Sequence, residues 1–242
     1  MADHALDHSL AWARNGSRLL TARLDDLGEA SATGPSTLPG WSRGHVLTHL
    51  ARNADALVNL LTWARTGVET PMYTDPATRL DDIERGAARP AREIVEDLRT
   101  ADARLLAAVD ALPAPAWQAA VRSALGRTVP ASEVPWMRAR ELWIHLVDLD
   151  AGDDFDVLPD DLVDALLTEA SATVGAKDDC PAVLLCPDDR DGPPSHRLGP
   201  QDLVPEEVGG PAHALCAWLL GRGTPTARKV TAGTSLRLPA WL

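Results

Sequence analysis

The sequence predicts an α+β protein: a four-helix bundle over residues 1–154 and a small α+β domain over residues 155–242. Three observations carry this expectation. Apolar residues recur at spacings of three, four and seven in four long stretches before residue 150. The pattern changes near residue 155 to shorter mixed segments. One of these, Pro181–Cys186 (PAVLLC), is a brief apolar run of the kind that forms a buried strand.

Taken in order, Asp3–Leu27 places Leu6, Leu10, Ala13, Leu20 and Leu24 on one helical face. Gly28–Gly40 is rich in Gly, Pro and small residues and reads as a loop. Ser42 is placed to cap a second helix running to about Arg65, with Val46, Leu50, Leu57, Leu60 and Leu61 inward. Gly67–Pro76 interrupts the pattern, and Arg79–Ala87 fits a short helix. Pro90 suits the first turn of a helix that ends near Ala111. Ser132 is expected to cap the next helix, which carries Trp136, Leu142, Ile144 and Leu149 and stops near Gly152. Four long helices joined by connections of varied length suggest a bundle. Beyond it, Pro159–Val174 reads as a helix, Pro181–Cys186 and Ser195–Leu198 as partner strands, and Gly210–Gly221 as a helix. Ser235–Leu238 alternates as a strand does.

The composition excludes several classes. A net charge of −12 argues against a nucleic-acid binder, which needs a basic surface to displace counterions from phosphates. No apolar run approaches the roughly 20 residues of a membrane span, and Met1–Leu10 lacks a secretory pattern. Three cysteines, Cys180, Cys186 and Cys216, make a poor disulfide framework and fit a reducing cytoplasm. Cys180 and Cys186 sit among apolar residues and read as structural thiols. Neither a glycine-rich phosphate loop nor a nucleophile elbow is present.

The strongest chemical feature is Glu141 and His145, four residues apart and therefore on one helical face. Both residue types ligate divalent transition metals, and a catalytic zinc site usually takes a third protein ligand. His45 and His49, also four apart on the second helix, are both candidates, and spacing does not choose between them. An isolated Glu-x-x-x-His pair is also common on solvated helices. Arg79 and Arg222 lie beside apolar residues near helix ends, where most arginines are solvated. Trp41, Trp63, Trp136 and Trp143 read as core or pocket wall.

Two long segments resemble a known family. Leu38–Asp55 (LPGWSRGHVLTHLARNAD) and Arg138–Leu149 (RARELWIHLVDL) are similar to motifs of the mycothiol-dependent maleylpyruvate isomerases. Arg79–Ala87 (RLDDIERGA) and Gly210–Arg222 (GPAHALCAWLLGR) resemble it in support. The resemblance implies a DinB-like four-helix metal-binding domain followed by a small α+β domain. It implies zinc held by His49, Glu141 and His145, choosing His49 over His45, and active-site roles for Arg79 and Arg222. Arg222 would come from the second domain, placing the substrate pocket between domains.

The activity so implied is conversion of maleylpyruvate to fumarylpyruvate in gentisate breakdown, with mycothiol as thiol cofactor. Rotation about the conjugated cis double bond is slow until a thiolate adds to it. The resulting enolate rotates about a single bond, and elimination leaves the trans alkene. Zinc would hold the thiol as thiolate or polarise the carbonyl. Arg79 and Arg222 would orient carboxylates through bidentate contacts and offset the enolate charge. The same residues also suit a mycothiol S-transferase or detoxification enzyme acting on another electrophile. The expected partners are a small carboxylate substrate and mycothiol, with no nucleic acid and no membrane, in a cytoplasmic monomer.

Overall fold

Helix α1 (Leu6–Leu27) buries Ala13, Leu20 and Leu24 of its expected inward face, and Trp12 besides, while Leu6 and Leu10 are half-buried. This computed structural model describes residues 6–28, 33–73, 75–190, 195–223 and 236–241. The chain divides into two compact units between Asp153 and Asp154.

The first unit is built around α2 (Arg43–Thr66), which packs against α4 (Ala91–Asp110), α5 (Val134–Asp148) and the shorter α3 (Pro76–Ala87). Helix α1 closes the bundle against α5 and α4. Ser42 opens α2, and the His45 side chain completes the cap: the Ser42 amide donates to His45 Nδ1 at 3.1 Å. Gly67 ends the helix in the left-handed region, its amide donating to the Trp63 carbonyl. Val46, Leu47, Leu50, Leu57, Leu60 and Leu61 are all but inaccessible. Each such side chain contributes about 1.5–3 kcal/mol by leaving water.

A glycine sets how closely α3 approaches α2. A Cβ on Gly86 would lie 2.2 Å from Thr48 Cγ2, next to His49. Gly86→Ala is expected to cost about 1–3 kcal/mol through overpacking. Thermal denaturation reads this as a lowered midpoint; an unchanged midpoint would show that the two helices separate without penalty.

Between α4 and α5 runs a hairpin that the sequence pattern does not announce, β1 (Ala120–Arg122) with β2 (Thr128–Pro130), antiparallel. It turns at Gly126, at φ 76°. The hairpin also corrects the predicted start of α5. β2 runs straight into a 3₁₀ turn, Ala131–Glu133, whose Ala131 amide donates to the Ala119 carbonyl. Ser132 lies inside that turn, and Glu133 takes the capping position. The helix ends at Asp148, short of Gly152, and Asp150 follows with φ 52°. Pro90 precedes its helix as the cap residue and does not enter the first turn.

The second unit holds α6 (Asp160–Gly175), a three-stranded sheet and α7 (Ala212–Leu219). β3 (Val183–Pro187) is central, antiparallel to β4 (His196–Leu198) and parallel to β5 (Glu206–Gly210). β5 reads EEVGG, a composition that argues against a strand, and tertiary pairing with β3 overrides it. Leu236–Leu238, read as part of a strand, has no regular structure, and Ser235 lies outside the described residues. No helix among the described residues is long and apolar enough to cross a membrane.

Candidate metal centre

His49 projects from α2 toward α5, where Glu141 and His145 lie one turn apart on the facing side. One potential ligand atom from each of the three lies within 4.8 Å of the others. His49 Nε2 is 2.8 Å from Glu141 Oε2, and His145 Nε2 is 3.4 Å from the same oxygen. The two imidazole rings meet edge to face, 4.7 Å between centroids. His49 is 4 % exposed, while Glu141 and His145 are half-buried, so the group opens from the bundle interior toward solvent on the α5 side.

His45, the other candidate on α2, is committed elsewhere. Its Nδ1 serves the helix cap and its Nε2 is 3.3 Å from Glu84. Trp41 covers both histidines, stacked on His45 at 6.1 Å and tilted on His49 at 5.8 Å. Trp136 and Trp143 belong to the core, while Trp63 is half-buried.

The electrostatics favour the ligand forms of His49 and Glu141, while His145 is held toward its protonated form. Burial pushes the His49 pKa down against the pull of Glu141, with His145 and Arg79 adding to the lowering. Burial also disfavours the Glu141 carboxylate, but the two imidazoles outweigh it and hold the group well below the usual carboxylate range. For His145, burial opposes the charged form, yet Asp148 and Glu141 prevail and its pKa is raised. Asp148 is fully buried, and its Oδ2 lies 2.8 Å from His145 Nδ1. A carboxylate there keeps the proton on Nδ1 and turns Nε2 toward Glu141, the orientation a metal-ligating histidine needs. Thr37 in turn fixes Asp148, its hydroxyl donating to Oδ1 at 3.1 Å and its amide to the main-chain carbonyl at 3.0 Å.

Two histidine nitrogens and a carboxylate, one of them already oriented by a buried acid, suit a divalent metal such as zinc with an open position. Arg79, on α3, places Nη2 3.1 Å from His49 Nδ1. Its guanidinium carbon stands 5.3 Å from the ring centroid of Tyr73. Arg222 follows α7 in the second unit, where its Nη1 donates to the Leu220 carbonyl at 2.8 Å.

One further residue holds α2 against α5. Arg138, one turn before Glu141 and 3 % exposed, donates to the Leu50 carbonyl (2.8 Å), Asn53 Oδ1 (2.9 Å) and Asp102 Oδ1 (3.0 Å). Ser17 of α1 bonds the other Asp102 oxygen, so the four long helices meet in one polar network beside His49.

The cysteines are all free. Cys216 and Cys180 are buried and Cys186 half-buried, and burial raises each thiol pKa, most strongly at Cys216. Iodoacetamide at about pH 8 is therefore expected to leave Cys216 unmodified until the chain is unfolded. Mass spectrometry of native and denatured samples checks this, and rapid native alkylation of Cys216 would contradict it.

Comparison with known proteins gives a family and a fold. The family model described as the mycothiol maleylpyruvate isomerase N-terminal domain matches residues 13–150. A crystal structure of the mycothiol-dependent maleylpyruvate isomerase is 32 % identical and superposes with a TM-score of 0.91, covering 99 % of this chain and 98 % of that one. A mutant of that enzyme, with a histidine replaced by alanine, matches with the same values. No curated protein matches the chain.

Proposed function

The chain belongs to the mycothiol-dependent maleylpyruvate isomerase family, an enzyme family, and from that premise we propose that it converts maleylpyruvate to fumarylpyruvate with mycothiol as cofactor and zinc as metal. The observation that carries the reading is the convergence of His49, Glu141 and His145 within 4.8 Å, with the Arg79 guanidinium at their edge. These three residues would hold the metal, His145 oriented by Asp148. When bound, metal and thiol together supply a thiolate nucleophile whose reversible addition makes the double bond single.

The chain's own groups do the rest. Arg79 offers a planar fork of donors to a substrate carboxylate and offsets negative charge developing at the carbonyl oxygen. Arg222 takes a second carboxylate. Buried cysteines of raised pKa do not compete as nucleophiles, which fits an enzyme that draws its reactive sulfur from a cofactor. We assign it to the cytoplasm, where such a thiol stays reduced, and to gentisate breakdown.

Arg222→Ala is expected to lower turnover by about 10- to 100-fold through loss of a charged contact, while zinc content stays at the wild-type level. Unchanged kinetics would remove Arg222 from the chemistry. The function itself is tested by incubating zinc-loaded protein with maleylpyruvate, with and without mycothiol. Thiol-dependent loss of maleylpyruvate with formation of fumarylpyruvate is expected. Conjugation of other electrophiles without isomerisation would instead make the chain a mycothiol S-transferase, and inactivity at full zinc occupancy would overturn the reading.

A further inference from the structure

Tyr73 is the chain's single tyrosine, and it lies in the segment leading into α3, against Arg79. Arg79 is thereby held between two groups: His49 Nδ1 at 3.1 Å on one side and the Tyr73 ring at 5.3 Å on the other. The contact between the two side chains has a forced direction. A guanidinium has five N–H donors and no acceptor, so in a hydrogen bond with Arg79 the phenol oxygen is the acceptor. The phenolic proton is then left to point at something else. Burial, the largest influence on this phenol, raises its pKa and keeps it protonated, against the opposing pull of Arg79. The Glu141 charge also acts on it, and Arg79 links the Tyr73 ring to His49.

We propose that Tyr73 is a catalytic residue that donates a hydrogen bond, beside Arg79, to the substrate oxygen on which negative charge develops. The inference rests on the isomerase reading above. In that reaction the alkene π pair moves onto the carbonyl oxygen as the nucleophile adds, and returns to carbon as it leaves. No proton is gained or lost overall, so Tyr73 keeps its own proton and acts only as donor. A neutral donor and a cation aimed at one oxygen stabilise charge that exists only after addition, and so lower the barrier without tightening substrate binding. The ring has a second task, supporting the guanidinium from below. The two tasks separate by mutation: Tyr73→Phe keeps the ring and removes the hydroxyl, whereas Tyr73→Leu removes both.

The test compares wild type, Tyr73→Phe and Tyr73→Leu as zinc-loaded proteins in the maleylpyruvate assay with mycothiol. Tyr73→Phe is expected to lower kcat by about 100-fold, the effect typical of losing one oxyanion donor, with KM and zinc content near wild type. Tyr73→Leu is expected to raise KM in addition. A readout apart from turnover comes from carbon-13 placed at tyrosine Cζ, which gives one resonance in this chain. That resonance is expected to move when the protein is saturated with maleylpyruvate. Wild-type kinetics for Tyr73→Phe, or a resonance that stays put, overturns the proposal even if Tyr73→Leu is impaired. A wild type that does not isomerise maleylpyruvate overturns the functional reading and this inference with it.

Discussion

His49→Ala is expected to yield a folded chain that has lost both its zinc and its turnover. The side chain supplies the only one of the three proposed ligands that comes from α2. Removing it leaves Glu141 and His145 one turn apart on α5, a pair in place of the three ligands a catalytic zinc site uses. Loss of supporting contacts alone weakens metal binding by about 10- to 100-fold, so loss of a ligand should exceed about 100-fold. Zinc per chain after dialysis, measured by atomic emission, and the isomerisation rate should fall together. The circular dichroism spectrum should remain helical, because the α2 core residues are untouched. A His49→Ala protein that retains zinc and turns over normally would remove His49 from the centre. His45→Ala is the informative companion: it should keep the metal while losing the cap at Ser42 and the contacts with Glu84 and Trp41.

Arg138→Ala is expected to destabilise the protein by about 3–5 kcal/mol, because truncation removes a buried guanidinium that serves the Leu50 carbonyl, Asn53 and the half-buried Asp102 carboxylate at once. Urea denaturation reads this as a shift of the midpoint. Replacing both partners with apolar residues of similar size, Arg138→Met with Asp102→Leu, should recover much of the loss, since no unpaired charge is then left inside. A loss below about 1 kcal/mol for Arg138→Ala would place the network with exposed ion pairs of little consequence. Arg138 bonds the residue next to His49 and stands one turn from Glu141. The same variant that survives folding should therefore bind zinc more weakly, through misalignment of α2 and α5.

The long helices were legible because burial repeats with helical spacing, as Val46, Leu50, Leu57, Leu60 and Leu61 show. The elements that escaped are those whose cause lies outside the segment. β1 and β2 have three residues each, too few to display alternation, and β5 is a strand only because β3 lies beside it. The α5 start was misplaced for the same reason, since a hairpin invisible to local pattern feeds it directly.

The site divides along the same line. Glu141 and His145 are legible as an i,i+4 pair. Spacing left His45 and His49 equal; the resemblance chose His49, and the geometry sets them apart, one at a helix cap and one facing Glu141. Asp148 stands three residues after His145, a spacing that could have marked it as an orienting acid. Arg138 carried no such mark, because its partner Asn53 lies 85 residues away in sequence. Tyr73 was hidden in a segment that reads as a break between helices; it meets Arg79 a short way along the chain, and the packing of α3 onto α2 brings Arg79 to His49.

On the proposed function, thiol-dependent isomerisation depends on a metal held by these three side chains. The most direct measurement is the initial rate of maleylpyruvate isomerisation as metal-free protein is titrated with zinc at saturating mycothiol. The rate should start at background, rise in proportion to added zinc and level off at about one zinc per chain. A full rate before any zinc is added, or a rate indifferent to zinc and thiol, would contradict it.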